Sequence, residues 1–249
     1  TTTTLLQSLR GELNQWEFLK GLINMFNLVT IPHPNNPNKI IFEPYYNMFL
    51  DNDDSKELNW TDKVDISEIK LTTLTDLNRV TKFRFAEDDD DYAAKIVKNA
   101  SGGHPYGALD YIAPAFSFGL LAGEKEISAE PFATTVPKAL TNISGVSDLI
   151  TPAIYSSDED GVSGPFENSP RLFYNNGKVT LANGTYFIPE WNGFSSENAD
   201  EFLQFSHLTD IPTGATTIDI NYETQQTLSG IGTTSANLFN LFWLPYLND

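Results

Sequence analysis

The sequence predicts an α+β fold rich in β-strand, with an N-terminal helix–strand unit followed by antiparallel sandwich- or barrel-like sheets. Three observations carry that prediction. An apolar stripe at helical spacing lies near the N-terminus, and an alternating strand runs into five consecutive acids before Tyr92. Beyond Gly102 the chain breaks into short β-prone segments separated by Gly, Pro, Asn and Ser. With 249 residues the chain is long enough to bury a core without covalent staples, as one large domain or two smaller ones. The change in pattern predicts an α+β unit over 1–100 and a β-rich unit over 101–249, with one continuous domain as the alternative.

The first element is a helix from about Gly11 to Asn27, because Leu13, Trp16, Leu19, Leu22, Ile23 and Phe26 recur every three or four residues and share one face. The segment Ile31–Lys39, IPHPNNPNK, cannot continue a helix and delivers the chain into a strand at IIFEPYY. LNWTDKVDISEIKL reads as a turn and a further strand. In RVTKFRF, the residues Val80, Phe83 and Phe85 lie close to the period of two of a half-buried strand. The acids Glu87 to Asp91 come next. They precede YAAKIVKNA, a short helix with Tyr92, Ile96 and Val97 on one face, and acids suit a helix N-terminus with its exposed N–H groups. A helix cap plus a solvated face is the expectation for this cluster; a calcium site and a contact with a partner's basic patch are the alternatives.

Past Gly102 the β-prone segments are YIAPAFSF, KEISAEPF, DLITPAIY, RLFY, KVTLA, TYFIPEW, EFLQFSHL, TTIDINYE and NLFNLFWLPY. Turn signals at this density suggest a sandwich or barrel. The 17 Phe, 10 Tyr and 4 Trp supply its apolar area, so most aromatic positions are expected to be structural.

Composition removes several function classes. Lys and Arg number 15 against 33 Asp and Glu, a formal charge of −18 that repels a phosphate backbone, so no direct nucleic-acid binding is expected. The absence of Cys excludes disulfides, thiolate zinc sites, iron–sulfur clusters and cysteine nucleophiles. Apolar runs such as Ile40–Phe42 and Phe118–Ala122 fall far short of the roughly 20 residues of a membrane helix, so no membrane partner is expected. TTTTLLQSL has neither the basic start nor the apolar core of a signal peptide, and with no initiator Met it predicts a processed or partial chain.

Catalytic signatures are missing. His33, His104 and His207 are isolated in sequence and read as loop or core histidines. GVSGP places Pro165 where a nucleophile elbow needs glycine, and GIGTT lacks the lysine of a phosphate loop; both read as loops. The nearest approach to a ligand loop is Ser156 to Gly161, with Glu167 at the twelfth position. Asp158, Asp160 and Glu167 there could supply oxygen ligands to calcium, the one cofactor the sequence suggests. Ser156 stands where the first aspartate belongs, and Pro165 where an exiting helix begins, so a surface β-loop is the simpler reading.

LKGLINMFNLVTI, the Pro/Asn loop, IIFEPYYNMF, LNWTDKVDIS, LTDLNRVTKFRFAEDDDDY and the Tyr106-Gly107 pair form a series spanning roughly 13–107. This series resembles a group of tailed-bacteriophage virion proteins, especially of marine and Bacteroidetes-infecting phages. There an EP strand precedes a DWT-type turn, an aromatic strand ending in acids and a YG loop. Weaker echoes lie in ISAEPFATTVPKAL and NLFWLPYLND. The order of elements is also similar to that of baseplate-hub and tail-tip proteins, which form rings of β-barrel domains around the tail channel. The resemblance implies a non-enzymatic structural protein of the virion, in the tail or baseplate or associated with the capsid. It also implies assembly with copies of itself and with other virion proteins. The chain stops at Asp249 where such proteins continue into another β module, which predicts a missing or cleaved C-terminal part. The alternative function is a receptor- or glycan-binding module of a virion or cell surface, with calcium dependence as one form of it.

Overall fold

The computed structural model describes residues 13–50, 59, 61–64, 67, 70, 78–114, 121–139, 150–152, 155–157, 163–165, 169–180, 186–189, 196–199, 201–206, 219–223 and 235–248. They form an α+β fold of helices with antiparallel and mixed sheets. Helix α1, Gln15–Phe26, begins where the Asn14 side chain accepts the Glu17 N–H at 2.8 Å. It ends at Asn27, whose left-handed backbone (φ 46°) an asparagine tolerates better than most residues. Strands β1 (Leu28–Pro32) and β2 (Ile40–Pro44) form an antiparallel hairpin in which Leu28 faces Pro44 and Pro32 faces Ile40. The loop between them is closed by a His33 N–H to Lys39 carbonyl bond of 3.1 Å. A π-helical turn at Tyr46–Leu50 follows, and the expected WTDK turn is a 3-10 turn at Thr61–Lys63.

Strand β3, Val80–Ala86, lies at the centre of a three-stranded sheet. It pairs antiparallel with β4 (Leu109–Ile112) and parallel with β5 (Glu124–Ala133). Its alternation is strict, but the buried face is Thr81, Phe83 and Phe85, and Val80 lies on the other face. The alternation is set by the odd-numbered side chains, with a threonine filling the place where an apolar residue was expected. Between β3 and β4 runs α2, Tyr92–Ala100, capped by Asp91, whose carboxylate accepts the Ala94 N–H at 3.0 Å. Its inner face is Ala93, Ala94 and Val97, packed with Tyr106 and Val136. Ile96 is 51% exposed, a correction to the expected face, because at one residue before Val97 it is turned about 100° around the helix.

The main core combines Met25 of α1, Phe83 and Phe85 of β3, Leu109, Ile127, Phe132, Tyr222, Leu238, Phe239 and Trp243. Phe83 has the rings of Tyr222, Trp243 and Phe239 at centroid distances of 5.0, 5.2 and 5.5 Å. Asn24 ties the same parts together. Its side chain donates to the Ser128 carbonyl at 2.6 Å, and its own carbonyl accepts from Trp243 Nε1 at 3.0 Å and the Tyr222 hydroxyl at 3.3 Å. Residue 100, the expected division, thus lies between strands that hydrogen-bond to each other and share one core.

The later strands are short and antiparallel. β6 (Pro137–Ala139) pairs with β7 (Ile150–Pro152), and β8 (Tyr155–Ser157) with β9 (Ser163–Pro165). β10 (Tyr174–Thr180) pairs with β13 (Glu201–Ser206) around the inner hairpin of β11 (Tyr186–Pro189) and β12 (Ser196–Ala199). No sheet closes into a barrel among the described residues. NLFNLFWLPY is not a strand: it forms a π-helical turn, Phe239–Trp243, and helix α3, Leu244–Asn248. Leu238, Phe239, Phe242 and Trp243 are spaced for one helical face, and that face enters the core.

Candidate functional site

The acids before α2 divide into two sets. Glu87 stays at the surface and pairs with Lys98. Asp88 and Asp91 turn inward, contrary to the expected solvated face, and meet Arg171, a residue about 80 positions away in sequence. The side chains of Arg171, Asp88 and Asp91 are only 5%, 9% and 2% exposed. Arg171 Nη2 donates to Asp88 at 2.6 Å and to Asp91 at 3.3 Å, its Nε to the Thr134 carbonyl at 3.1 Å, and its Nη1 to the Ser169 carbonyl at 3.0 Å. Asp88 also accepts from the Ser169 hydroxyl at 2.6 Å and from the Ser169 N–H at 3.1 and 3.2 Å. Next to Ser169, the Pro170 carbonyl accepts the Ala133 N–H at 2.9 Å, so the segment 169–173 is strapped to both the acidic cap and the end of β5.

A cavity of about 140 Å³ opens beside this cluster. Phe85, Pro105, Tyr106 and Ala133 give it apolar walls, and Asp88, Asp91 and Arg171 line its polar side. Burial pushes the Asp91 carboxyl above the usual carboxylate range, against the lowering effect of the Ala94 N–H and of Arg171; Asp88 adds to the rise.

Thr134 connects the cluster to a second buried polar group. Its hydroxyl donates to Asn221 Oδ1, and Asn221 Nδ2 donates to Asp219 at 2.7 Å. Asp219 forms a bridge with Asn237 at the start of the C-terminal helical segment. Gly107 packs on this group with φ +77°, and a Cβ there would collide with Asn221 and with Thr134 Oγ1. Arg171, Ser169, Thr134, Asn221 and Asp219 were not singled out by sequence reasoning. The only local signal was the Asp88/Asp91 spacing of three, which fits a helix cap as well as it fits two carboxylates converging on one cation.

The calcium candidates Asp158, Asp160 and Glu167 lie outside the described residues, as does His207. His33 Nδ1 accepts the Asn35 N–H at 3.1 Å within its loop, and the His104 carbonyl takes the Ser101 hydroxyl at 2.7 Å. Among the described residues no three His, Asp or Glu side chains are grouped to hold a metal, and no helix is long and apolar enough to cross a membrane. The arrangement is a buried ion-pair network that fixes three chain segments against one another. No protein-family model, no curated protein and no solved structure matches the chain.

Proposed function

We propose that this chain is a structural subunit of a viral particle, a phage tail or baseplate protein that acts by assembling with copies of itself and with other virion proteins. The virion class rests on the resemblance over 13–107. The observation that supports assembly is an aromatic face where the turn after β2 meets α3. Tyr45 meets the Phe49 ring at a tilt, 4.7 Å between centroids, and the Tyr246 ring edge-to-face at 4.9 Å, yet Phe49 is 61% and Tyr246 41% exposed. Tyr46, the next residue after Tyr45, is exposed as well. Rings gathered into one patch at the surface, rather than scattered singly, are the kind of area that subunit contacts cover. The two outer strands of the central sheet, β4 and β5, pair with no further strand among the described residues, although Pro170 and Asn24 each take a backbone group of β5.

Sedimentation velocity over a concentration series tests the reading. The wild-type chain is expected to self-associate, and the double variant Phe49→Ser, Tyr246→Ser to shift toward monomer with its far-UV circular dichroism unchanged. Equal association by the two proteins would remove the aromatic face as the contact.

A further inference from the structure

Strands β1 and β2 pair with each other and with no third strand among the described residues. Leu28, Val29, Ile31, Ile40, Ile41 and Phe42 make this hairpin strongly apolar, yet no residue of either strand is buried, and Ile40 is 65% exposed. A two-stranded hairpin is marginal in water by itself and gains from further strands. Helix α1 packs on the β1 side, whereas β2 meets chiefly β1 and the turn that follows it among the described residues.

The register fixes what the outer edge of β2 presents. Bonds from the His33 N–H to the Lys39 carbonyl and from the Tyr45 N–H to the Asn27 carbonyl mark 33/39 and 27/45 as hydrogen-bonded pairs. Bonded and non-bonded pairs alternate along an antiparallel ladder, so 29/43 and 31/41 are bonded as well. Ile40 and Phe42 therefore point their N–H and C=O groups away from β1, where they meet no partner among the described residues. Lys39 and Glu43 flank them, and neither has an ion-pair partner among the described residues. From Gly21 to Leu50 these are the only Lys, Arg, Asp or Glu residues, in a chain of formal charge −18. Copies of so acidic a chain repel one another least along this segment.

We propose that the outer edge of β2 is a self-pairing surface, to which a second copy of this chain adds its own β2, antiparallel about a two-fold axis at Ile41. The run Lys39-Ile40-Ile41-Phe42-Glu43 is complementary to itself in that arrangement. Ile40 faces the partner's Phe42 and Phe42 the partner's Ile40, each pair exchanging both backbone bonds, and Ile41 meets the partner's Ile41 on the axis. Lys39 then comes opposite the partner's Glu43, and Glu43 opposite the partner's Lys39, so both ends close on opposite charges. Sliding by two residues one way brings Pro44, which has no N–H, into the ladder. Sliding the other way sets Glu43 opposite the partner's Pro37, and both slips lose the charge matches. The product is a four-stranded sheet shared by two subunits. It uses other residues than the aromatic face of Phe49 and Tyr246, and it does not rest on the virion reading.

Ile41→Cys in the full chain, which has no other thiol, tests the pairing, because opposed residues at a non-hydrogen-bonded position lie within disulfide reach. With diamide as oxidant the variant is expected to give a disulfide-linked dimer on a non-reducing gel. Adding Lys39→Glu makes both charge pairs repulsive and should slow the cross-linking by about tenfold or more; adding Glu43→Lys as well should restore the rate to within about threefold. Ile41→Cys chains carrying Lys39→Glu and Ile41→Cys chains carrying Glu43→Lys should cross-link with each other faster than either does alone. The link should persist in the Phe49→Ser, Tyr246→Ser background, so a failure of the aromatic contact leaves this result unchanged. Absence of the dimer would overturn the proposal, as would a rate indifferent to the charges at 39 and 43. Loss of the link in the aromatic background would also overturn it, by assigning the association to that face.

Discussion

Replacing Gly21 by Ala sets two opposite effects against each other, and the geometry decides between them. Alanine is favoured over glycine inside a helix by about 1 kcal/mol, so on propensity alone the variant gains stability. Gly21, however, lies where α1 crosses β5. A Cβ there would stand 2.7 Å from Phe132 Cδ2 and 2.8 Å from the carbonyl oxygens of both Ala129 and Glu130. Two of these three atoms are backbone of a strand paired with β3, and the third belongs to a buried ring that also packs on Phe18. None can yield without moving α1 off the sheet. Overpacking of this kind costs about 1–3 kcal/mol, which exceeds or matches the propensity gain, and the contact with backbone on two sides puts the cost at the upper end. The expected result is a net loss of about 1–2 kcal/mol. It would be read as a lower urea midpoint at an unchanged slope in equilibrium unfolding followed by tryptophan fluorescence. A midpoint raised by the substitution would refute the close docking of α1 on β5.

Phe83→Ala should cost about 3–5 kcal/mol, read as a lower urea midpoint, because the ring is fully buried among Tyr222, Phe239 and Trp243. Arg171→Met should lower stability at pH 7 by about 3–5 kcal/mol by leaving two buried carboxylates without their guanidinium, and part of the loss should be recovered in acid as Asp91 takes up a proton; denaturant melts at two pH values measure both. Tyr222→Phe removes one long bond, to the Asn24 carbonyl at 3.3 Å, and should cost no more than about 0.5–1.5 kcal/mol. Burial pushes the Tyr222 phenol well above its ordinary value, so in an alkaline absorbance titration it should ionise only when the fold is lost. Asp91→Asn should be more stable than wild type at pH 7, with the difference shrinking as pH falls, because the wild-type carboxyl then becomes neutral as well.

Local signals were legible and long-range ones were not, and particular residues show why. The stripe from Trp16 to Phe26 marked a helix, and the start of α1 moved to the Asn14 cap, but the face that meets the core is set by Gly21 and Met25 with Leu22 and Phe26 packed beside them, and Trp16 of the expected stripe is 65% exposed. RVTKFRF gave β3, and the acids gave the α2 cap with Asp91 in the capping position. Asp88 reaches Arg171 through the fold, and nothing near either residue in sequence encodes that meeting. NLFNLFWLPY was misread because a short apolar run rich in aromatics suits strand and buried helix equally, and here the i, i+3, i+4 spacing prevails. In TTIDINYE, alternation puts Asp219 and Asn221 on the face opposite Tyr222, yet all three are buried, since the polar pair is satisfied internally with Thr134.

Electron microscopy of the purified wild-type chain, at concentrations where sedimentation detects association, tests the assembly reading most directly. The account predicts closed symmetric particles whose subunits meet through the face of Phe49 and Tyr246. Uniform single subunits, with that face in solvent at every concentration, would contradict it.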